Sequence, residues 1–364
     1  MSERLFNFSA GPATLPLEVI ERVKADLPVF QDTGASVLEI SHRSAAFANV
    51  LEEAESAIRD LLKVPSGYKV LFLQGGASTQ FAMIPLNFLA GTGKTADYIN
   101  VGTWAAKAIK EAKRAGAVHV AFNGEPEGYS RMPRQDELNL SPNAAYVHMT
   151  SNETIQGIQF PTEPETGNVP LVCDSSSDFM CRPTDISKYG LLYAGAQKNM
   201  GPAGVTMVII SDEMIERVPA DQYSMLSYAV QAAKGSTFNT PPAFAIYVVG
   251  LVAKWLRDTV GGLEAIHALN RRKAQLLYDA IDGSGGYYRG HAALDSRSLM
   301  NVTWTMENSD LEVALIRGAA EHGLMSLKGH RSVGGLRASI YNAMPIEGIE
   351  ALVSYMAEFQ RTHG

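Results

Sequence analysis

Residues 191–204 read Leu191-Leu192-Tyr193-Ala194-Gly195-Ala196-Gln197-Lys198-Asn199-Met200-Gly201-Pro202-Ala203-Gly204. A short apolar run, Leu191 to Ala194, stops in small residues, passes a single lysine and turns through Gly201-Pro202-Ala203-Gly204 into a second apolar run, Val205 to Ile210. Runs of this length bounded by glycine and proline predict strands. The same grammar recurs upstream and predicts strands at Tyr68 to Leu73, Ala96 to Val101, Val118 to Phe122, Ala145 to Thr150 and Val169 to Cys173. Longer segments of helical period separate them. In one, Phe47, Val50, Leu51, Ala54, Ile58, Leu61 and Leu62 recur three and four apart, as on one face of a helix. Strands alternating with helices predict an α/β fold around a mainly parallel, seven-stranded sheet. After the helical pair Ala243 to Thr259 and Leu263 to Ile281, the turn-rich Asp282-Gly283-Ser284-Gly285-Gly286 introduces a small α+β C-terminal domain. Strands are expected there at Leu299 to Met306 and Leu336 to Tyr341, and helices near Asp310 to His322 and Pro345 to Phe359.

Composition narrows the function classes. The chain has 364 residues, 46% hydrophobic and 19% charged, which suits a folded protein throughout. A net charge of −7 gives no general attraction to nucleic acid or anionic membranes, so an anionic ligand needs a local cluster of cations. The longest apolar stretch, Pro241 to Ala253, is too short to span a bilayer. The acidic start Met1-Ser2-Glu3-Arg4 argues against a signal peptide. Cys173 and Cys181 have no zinc-type partner pair and cannot frame a disulfide scaffold, so no metal is expected and a reducing cytoplasm is the expected compartment.

Lys198 stands at a strand end among small residues, where desolvation favours the neutral amine and a Schiff base with an aldehyde cofactor; alone, it reads far more readily as an exposed loop lysine. Asp174 ends the run Val169 to Cys173, 24 residues before Lys198, as expected of a neighbouring strand. A carboxylate there could pair with a protonated pyridine nitrogen, or merely cap the Ser175-Ser176-Ser177 turn. Gly75-Gly76-Ala77-Ser78-Thr79 joins a strand to a helix, where free N–H groups and the helix dipole favour a phosphate. Gly91-Thr92-Gly93-Lys94-Thr95 imitates a P-loop, but Phe88 occupies its first glycine position and nucleotide binding is rejected. Trp104 also follows a strand and could cover a planar cofactor, although most tryptophans are simply core. Basic residues gather at His42-Arg43 and at Lys328, His330, Arg331 and Arg337. Strand alternation puts Arg337 on one face with Ser339 and Tyr341, where its fork could grip a carboxylate.

The segments Phe6-Asn7-Phe8-Ser9-Ala10-Gly11-Pro12-Ala13, Ile40-Ser41-His42-Arg43-Ser44, Gly75-Gly76-Ala77-Ser78, Ser151-Asn152-Glu153-Thr154, Ala196-Gln197-Lys198 and Gly329-His330-Arg331 together resemble the phosphoserine aminotransferase family, in class V of the fold-type I pyridoxal-phosphate enzymes. The resemblance runs through nearly the whole chain. It implies a large cofactor-binding domain over residues 16–258 and a small domain built from 1–15 and 259–364. It implies a homodimer with shared active sites and transamination of 3-phosphohydroxypyruvate with L-glutamate to O-phospho-L-serine and 2-oxoglutarate. The related 3-hydroxy-2-oxo-4-phosphooxybutanoate of pyridoxine biosynthesis is a second implied substrate.

By the same resemblance Lys198 holds pyridoxal 5′-phosphate and shuttles a proton between substrate Cα and cofactor C4′. Trp104 stacks on the ring, Asp174 meets the pyridine nitrogen and Thr154 lies beside the phenolic oxygen. Ala77, Ser78 and Gln197 hold the cofactor phosphate, with Asn239 and Thr240 reaching it from the other subunit. Ser9 and Arg337 take the α-carboxylate, while His42, Arg43 of the partner chain, His330 and Arg331 take the phosphate or the distal carboxylate. Three rivals are weighed. A cysteine desulfurase needs a mobile-loop cysteine, and none follows Cys181. An alanine:glyoxylate-type aminotransferase gives little reason for His330-Arg331. A non-catalytic binder of the cofactor or of a phosphometabolite would show the visible chromophore without amino transfer.

Overall fold

Unbroken apolar strands such as Leu191 to Ala194 need cover on both faces, and the chain supplies it by wrapping helices around them. The computed structural model describes residues 4–364. Its main sheet contains β1 (Tyr68–Leu73), β2 (Thr95–Asn100), β3 (Ala117–Asn123), β4 (Val147–Thr150), β5 (Leu171–Asp174), β6 (Leu191–Gly195) and β7 (Thr206–Ser211). The spatial order is β1-β7-β6-β5-β4-β2-β3. Only β7 runs antiparallel to its neighbours. The C-terminal ends of the other six strands therefore share one edge, the edge at which open α/β sheets bind ligands.

All seven strands fall where the sequence places them, with ends shifted by a residue or two. β5 starts at Leu171 rather than Val169 because Pro170 has no N–H to give the ladder, and it runs one residue further, to Asp174. The Ala45–Leu62 helix starts at Ser44, whose Oγ accepts the Phe47 N–H at 3.2 Å. It buries Phe47, Val50, Ala54, Ile58, Leu61 and Leu62, while Leu51 is only partly covered. That face packs on the Ala243–Lys254 helix, which is apolar on all sides and largely buried. The contact is close enough that a Cβ at Gly250 would sit 3.0 Å from Ala54 Cβ. The α-helical bonding ends at Lys254 rather than Thr259, and Trp255–Val260 continues as a π-helical turn. Side-chain periodicity over so short a stretch does not separate the two.

The C-terminal unit is an antiparallel sheet of β8 (Tyr288–Gly290), β9 (Asn301–Met306) and β10 (Leu336–Ser339). It is backed by helices Leu263–Asp282, Ser309–Glu321 and Ile346–His363, which bury Leu277, Leu315 and Leu352 against Val302 and Ala338. The start of the chain joins this unit. Phe6–Asn7 pairs in parallel with Leu324–Met325, Phe8 is buried in the same core, and its carbonyl accepts the Ser339 N–H at 3.2 Å. These two-residue strands, β8, the hairpin Asn152–Glu153/Ile158–Gln159 and the Leu17–Asp26 helix are absent from the sequence expectations. Among the described residues no helix is long and apolar enough to cross a membrane.

Lys273, on the Leu263–Asp282 helix, is fully buried, and its ammonium donates to the carbonyls of Ile340 (3.0 Å), Tyr341 (2.8 Å) and Met344 (3.1 Å). All three ammonium protons are used, and the segment that follows β10 is pinned. Lys273→Met leaves three buried carbonyls without this donor and is expected to cost about 3 kcal/mol or more. The change appears as a lower urea midpoint at unchanged denaturant slope; a parental midpoint contradicts it.

Candidate active site

The ends of β5 and β6 bring the two central side chains together. Asp174 is the last residue of β5 and lies opposite Tyr193 of β6. Its Oδ1 accepts from Ser176 N at 3.0 Å and Ser176 Oγ at 2.6 Å, and Ser176 Oγ in turn accepts the Gly195 N–H at 3.0 Å. One serine therefore ties the two strand ends. Among the described residues, Asp174 Oδ2 has no hydrogen-bond partner. Three residues after β6, Lys198 Nζ donates to Thr154 Oγ1 at 2.6 Å and Ser177 Oγ at 3.2 Å, and lies 4.8 Å from the centre of the Trp104 ring. Burial pulls the Lys198 pKa below that of an ordinary lysine, against the opposing pull of Asp174 and Glu153. Burial pushes Asp174 up, opposed by Lys198 and by the two Ser176 donors.

The glycine turn joins β1 to a helix, as its sequence predicts. Gly75, at φ +90°, precedes the Gly76–Phe88 helix, whose first N–H groups have no side-chain cap. A Cβ at Gly75 would lie 1.9 Å from Thr79 Oγ1, so both backbone and space require glycine. Ala77 is partly buried and Ser78 exposed, which leaves this helix start open to an anion. Gln74 accepts from Asn239 Nδ2 at 3.1 Å and donates to the Thr240 carbonyl at 3.2 Å, so the Asn239-Thr240 segment borders the turn within one chain. Gln197 follows β6 on the Lys198 side, and its carbonyl accepts the Ala13 N–H at 2.9 Å, which closes the N-terminal segment over the lysine loop.

Arg337, on β10, is partly buried and among the described residues its side chain reaches only the Thr154 carbonyl, at a long 3.5 Å. Ser339 and Tyr341 share its face and both accept from Asn301 Nδ2, as alternation requires. Ser9 Oγ accepts the Gly11 N–H at 3.4 Å, and the neighbouring Ala10 carbonyl accepts the Tyr341 hydroxyl at 2.9 Å. The Gly329–Gly335 loop closes on itself through Gly329 N to Gly335 O at 2.9 Å and Gly334 N to His330 O at 2.8 Å, presenting His330 and Arg331 at its tip. Partial burial lowers the His330 pKa, and the charges of Arg337, Lys107 and Arg331 lower it further. Among the described residues Arg43, Lys107, Arg331 and Arg337 form no ion pair, although Arg22, Arg131, Arg257 and Arg297 do. His42 and Arg43 precede the Ala45–Leu62 helix, and their side chains have no hydrogen bond among the described residues.

The structure adds residues that the sequence reading passed over. Glu153, buried beneath Trp104, is pushed up to about 7 by burial. Ser176 and Ser177 are partners of the two central side chains, and Lys107 Nζ lies 4.2 Å from the Trp104 ring centre. Glu153 and Ser177 lie beside chosen residues in sequence, but nothing local says what they face. Pyridoxal 5′-phosphate fits the set: an amine lowered by burial, a carboxylate with one oxygen free, an uncapped helix start and an indole whose Nε1 is buried without a partner.

The aminotransferase class-V family model matches residues 5–352. A phosphoserine aminotransferase of Niallia circulans is 52% identical over 364 residues, covering 100% of both chains. The solved structure of phosphoserine aminotransferase from Bacillus circulans subsp. alkalophilus superposes with a TM-score of 0.97 at 53% identity, covering 100% of both chains. The PLP-bound phosphoserine aminotransferase from Trichomonas vaginalis gives 0.92 at 40% identity, covering 97% of this chain and 100% of that one.

Two outcomes follow from the geometry. Gly75→Ala strains the anion turn by about 1–3 kcal/mol, so cofactor titration should show weaker binding with unchanged far-ultraviolet circular dichroism; parental affinity contradicts the cradle. In the cofactor-free protein, amine-directed labelling of Lys198 should titrate below an ordinary lysine, and Asp174→Asn should lower it again because an anion that favours ammonium is gone. A rise on that substitution reverses the sign and refutes the balance.

Proposed function

This chain belongs to the aminotransferase class-V family, and we propose that it moves the amino group of L-glutamate to 3-phosphohydroxypyruvate, giving O-phospho-L-serine and 2-oxoglutarate. Its cofactor is pyridoxal 5′-phosphate. The observation that carries the substrate reading is the set of cations without acidic partners, Arg337, Arg331 and Lys107, whose charges converge on His330. Unpaired arginines on an acidic chain suit a substrate with a carboxylate at one end and a phosphate or second carboxylate at the other. A glyoxylate-type acceptor would use only part of this set. The four-carbon 3-hydroxy-2-oxo-4-phosphooxybutanoate carries the same two anions and belongs to the same substrate class.

When bound, the cofactor supplies an aldehyde that accepts the amino group and a ring that withdraws electrons from the substrate Cα. Lys198 holds it and, once released, takes the Cα proton on Nζ; a depressed pKa keeps part of that amine neutral for the work. Asp174 offers its free Oδ2 to the pyridine N–H, and Thr154 steadies Nζ. Ala77, Ser78 and Gln197 hold the phosphate, and Trp104 covers the ring. Ser9 and Arg337 orient the α-carboxylate, while His330 and Arg331 receive the distal anion. In this reading residues 16–258 bind the cofactor and residues 1–15 with 259–364 form the small domain over it, of which 1–3 lie outside the described residues; the pairing of Phe6 with Leu324 supports it. We also read the protein as a cytoplasmic homodimer in which Arg43, Asn239 and Thr240, with His42, complete the partner's site.

Lys198→Ala should abolish turnover while preserving the fold, and phosphohydroxypyruvate should far outrun glyoxylate as acceptor with glutamate as donor; equal rates refute the substrate assignment. Arg337→Met should lower kcat/KM by about 2 kcal/mol, roughly thirtyfold. Mixing Lys198→Ala with Arg43→Ala under subunit exchange should restore activity, since a hybrid holds one intact site. Exchange without recovery refutes a shared site.

A further inference from the structure

The start of the Thr103–Ala115 helix has no cap of its own, because its N-cap residue is Gly102. The carboxylate of Glu153, distant in sequence, fills that role: Oε1 accepts the Ala105 N–H at 2.8 Å and Oε2 accepts the Trp104 N–H at 3.1 Å. Glu153 is fully buried. The hairpin that carries it adds Gln156, whose Oε1 accepts the Thr103 N–H at 3.4 Å and whose Nε2 donates to Thr103 Oγ1 at 2.9 Å. The approach is tight, for a Cβ at Gly102 would lie 2.4 Å from Glu153 Cδ. The next residue, Thr154, accepts Lys198 Nζ at 2.6 Å. Two consecutive residues thus hold the backbone of Trp104 and the ammonium of Lys198, and the indole sits 4.8 Å from that ammonium.

We propose that Glu153 is the positioning residue for Trp104: its carboxylate fixes the first helical turn so that the indole lies at a set height over the cofactor, in register with Lys198. The proposal rests on the reading above that Trp104 covers the cofactor ring. A buried carboxylate is costly unless its oxygens are matched by donors, and here two main-chain N–H groups and the helix dipole match it. No other side chain caps these two amides among the described residues. Burial pushes Glu153 up to about 7, and the Ala105 and Trp104 N–H groups, with the charge of Lys198, pull against that rise.

The test is a double-mutant cycle on the full chain with E153Q and W104L, read by the affinity for pyridoxal phosphate on reconstitution and by the visible circular dichroism of the reconstituted chromophore. Glutamine keeps the size but cannot accept with its amide nitrogen, so one N–H loses its partner. E153Q alone should weaken cofactor binding roughly tenfold and reduce the dichroic band, with the melting temperature separating this from global destabilisation. In the W104L background, which has no ring to place, E153Q should change neither reading further. Equal losses in both backgrounds, or no loss in either, overturn the proposal while leaving Trp104 assigned. W104L without effect on its own refutes the stacking reading itself, and the proposal falls with it. If E153Q does not fold, G102A, which crowds Glu153 from the other side, is put through the same cycle with the same expected and refuting outcomes.

Discussion

The site depends on one constraint: a lysine and an aspartate are desolvated together at the ends of adjacent parallel strands. Burial disfavours each charge alone, lowering Lys198 and raising Asp174, while each charge offsets the other's shift. That balance holds only if the strand ends stay in register, and Ser176 keeps them there by donating to Asp174 and accepting from Gly195. The sheet order supplies the rest. With β7 alone reversed, the Gly75 turn, Trp104, Thr154, Asp174 and Lys198 all follow strand ends on one edge. A parallel sheet gathers groups from across the chain in this way without any long loop.

The small unit adds charge that the large sheet lacks. Arg337 leaves β10 toward Thr154, and the Gly329–Gly335 loop carries His330 and Arg331 beside it. Among the described residues Arg331, Arg337 and Lys107 have no acidic partner, so their mutual repulsion is uncompensated and a bound dianion would relieve it. Its walls are held by ordinary structural means: Lys273 pins the carbonyls that follow β10, and Tyr341 reaches back to Ala10. The N-terminal segment is part of the same wall, since the Ala13 N–H binds the Gln197 carbonyl.

Much of this was legible in sequence because it rests on local pattern. Each main strand is an apolar run with turn residues at its ends, and Lys198, Asp174 and the Gly75 turn are visible as polar or small residues placed where such runs stop. The hidden parts depend on long-range partners. Phe6–Asn7 is a strand only because Leu324–Met325 lies beside it, and two residues cannot show a period of two. The π-helical turn at Trp255–Val260 keeps nearly the same side-chain spacing as the α-helix before it. Glu153 lies within the segment Ser151-Asn152-Glu153-Thr154, but nothing local gives it a task, because only the folded chain brings it to the Trp104 N–H. Lys107 carries no local signal, and only the folded chain puts its ammonium 4.2 Å from the centre of the Trp104 ring.

Two surface features of the chain have no partner within it among the described residues. Tyr223 is 79% exposed, and Met225 and Phe238 are also exposed; Met225 lines a cleft with Gln74, Gly75, Thr79 and Asn239 at the anion turn. Large apolar side chains open to water beside a binding turn call for cover. Arg43 is exposed and, among the described residues, lacks both an ion pair and a side-chain hydrogen bond. An unpartnered arginine alone, or an exposed tyrosine alone, needs no explanation. The homodimer proposed above would answer both: a second copy would cover the apolar surface near Phe238, and Arg43 would then face a neighbour's site.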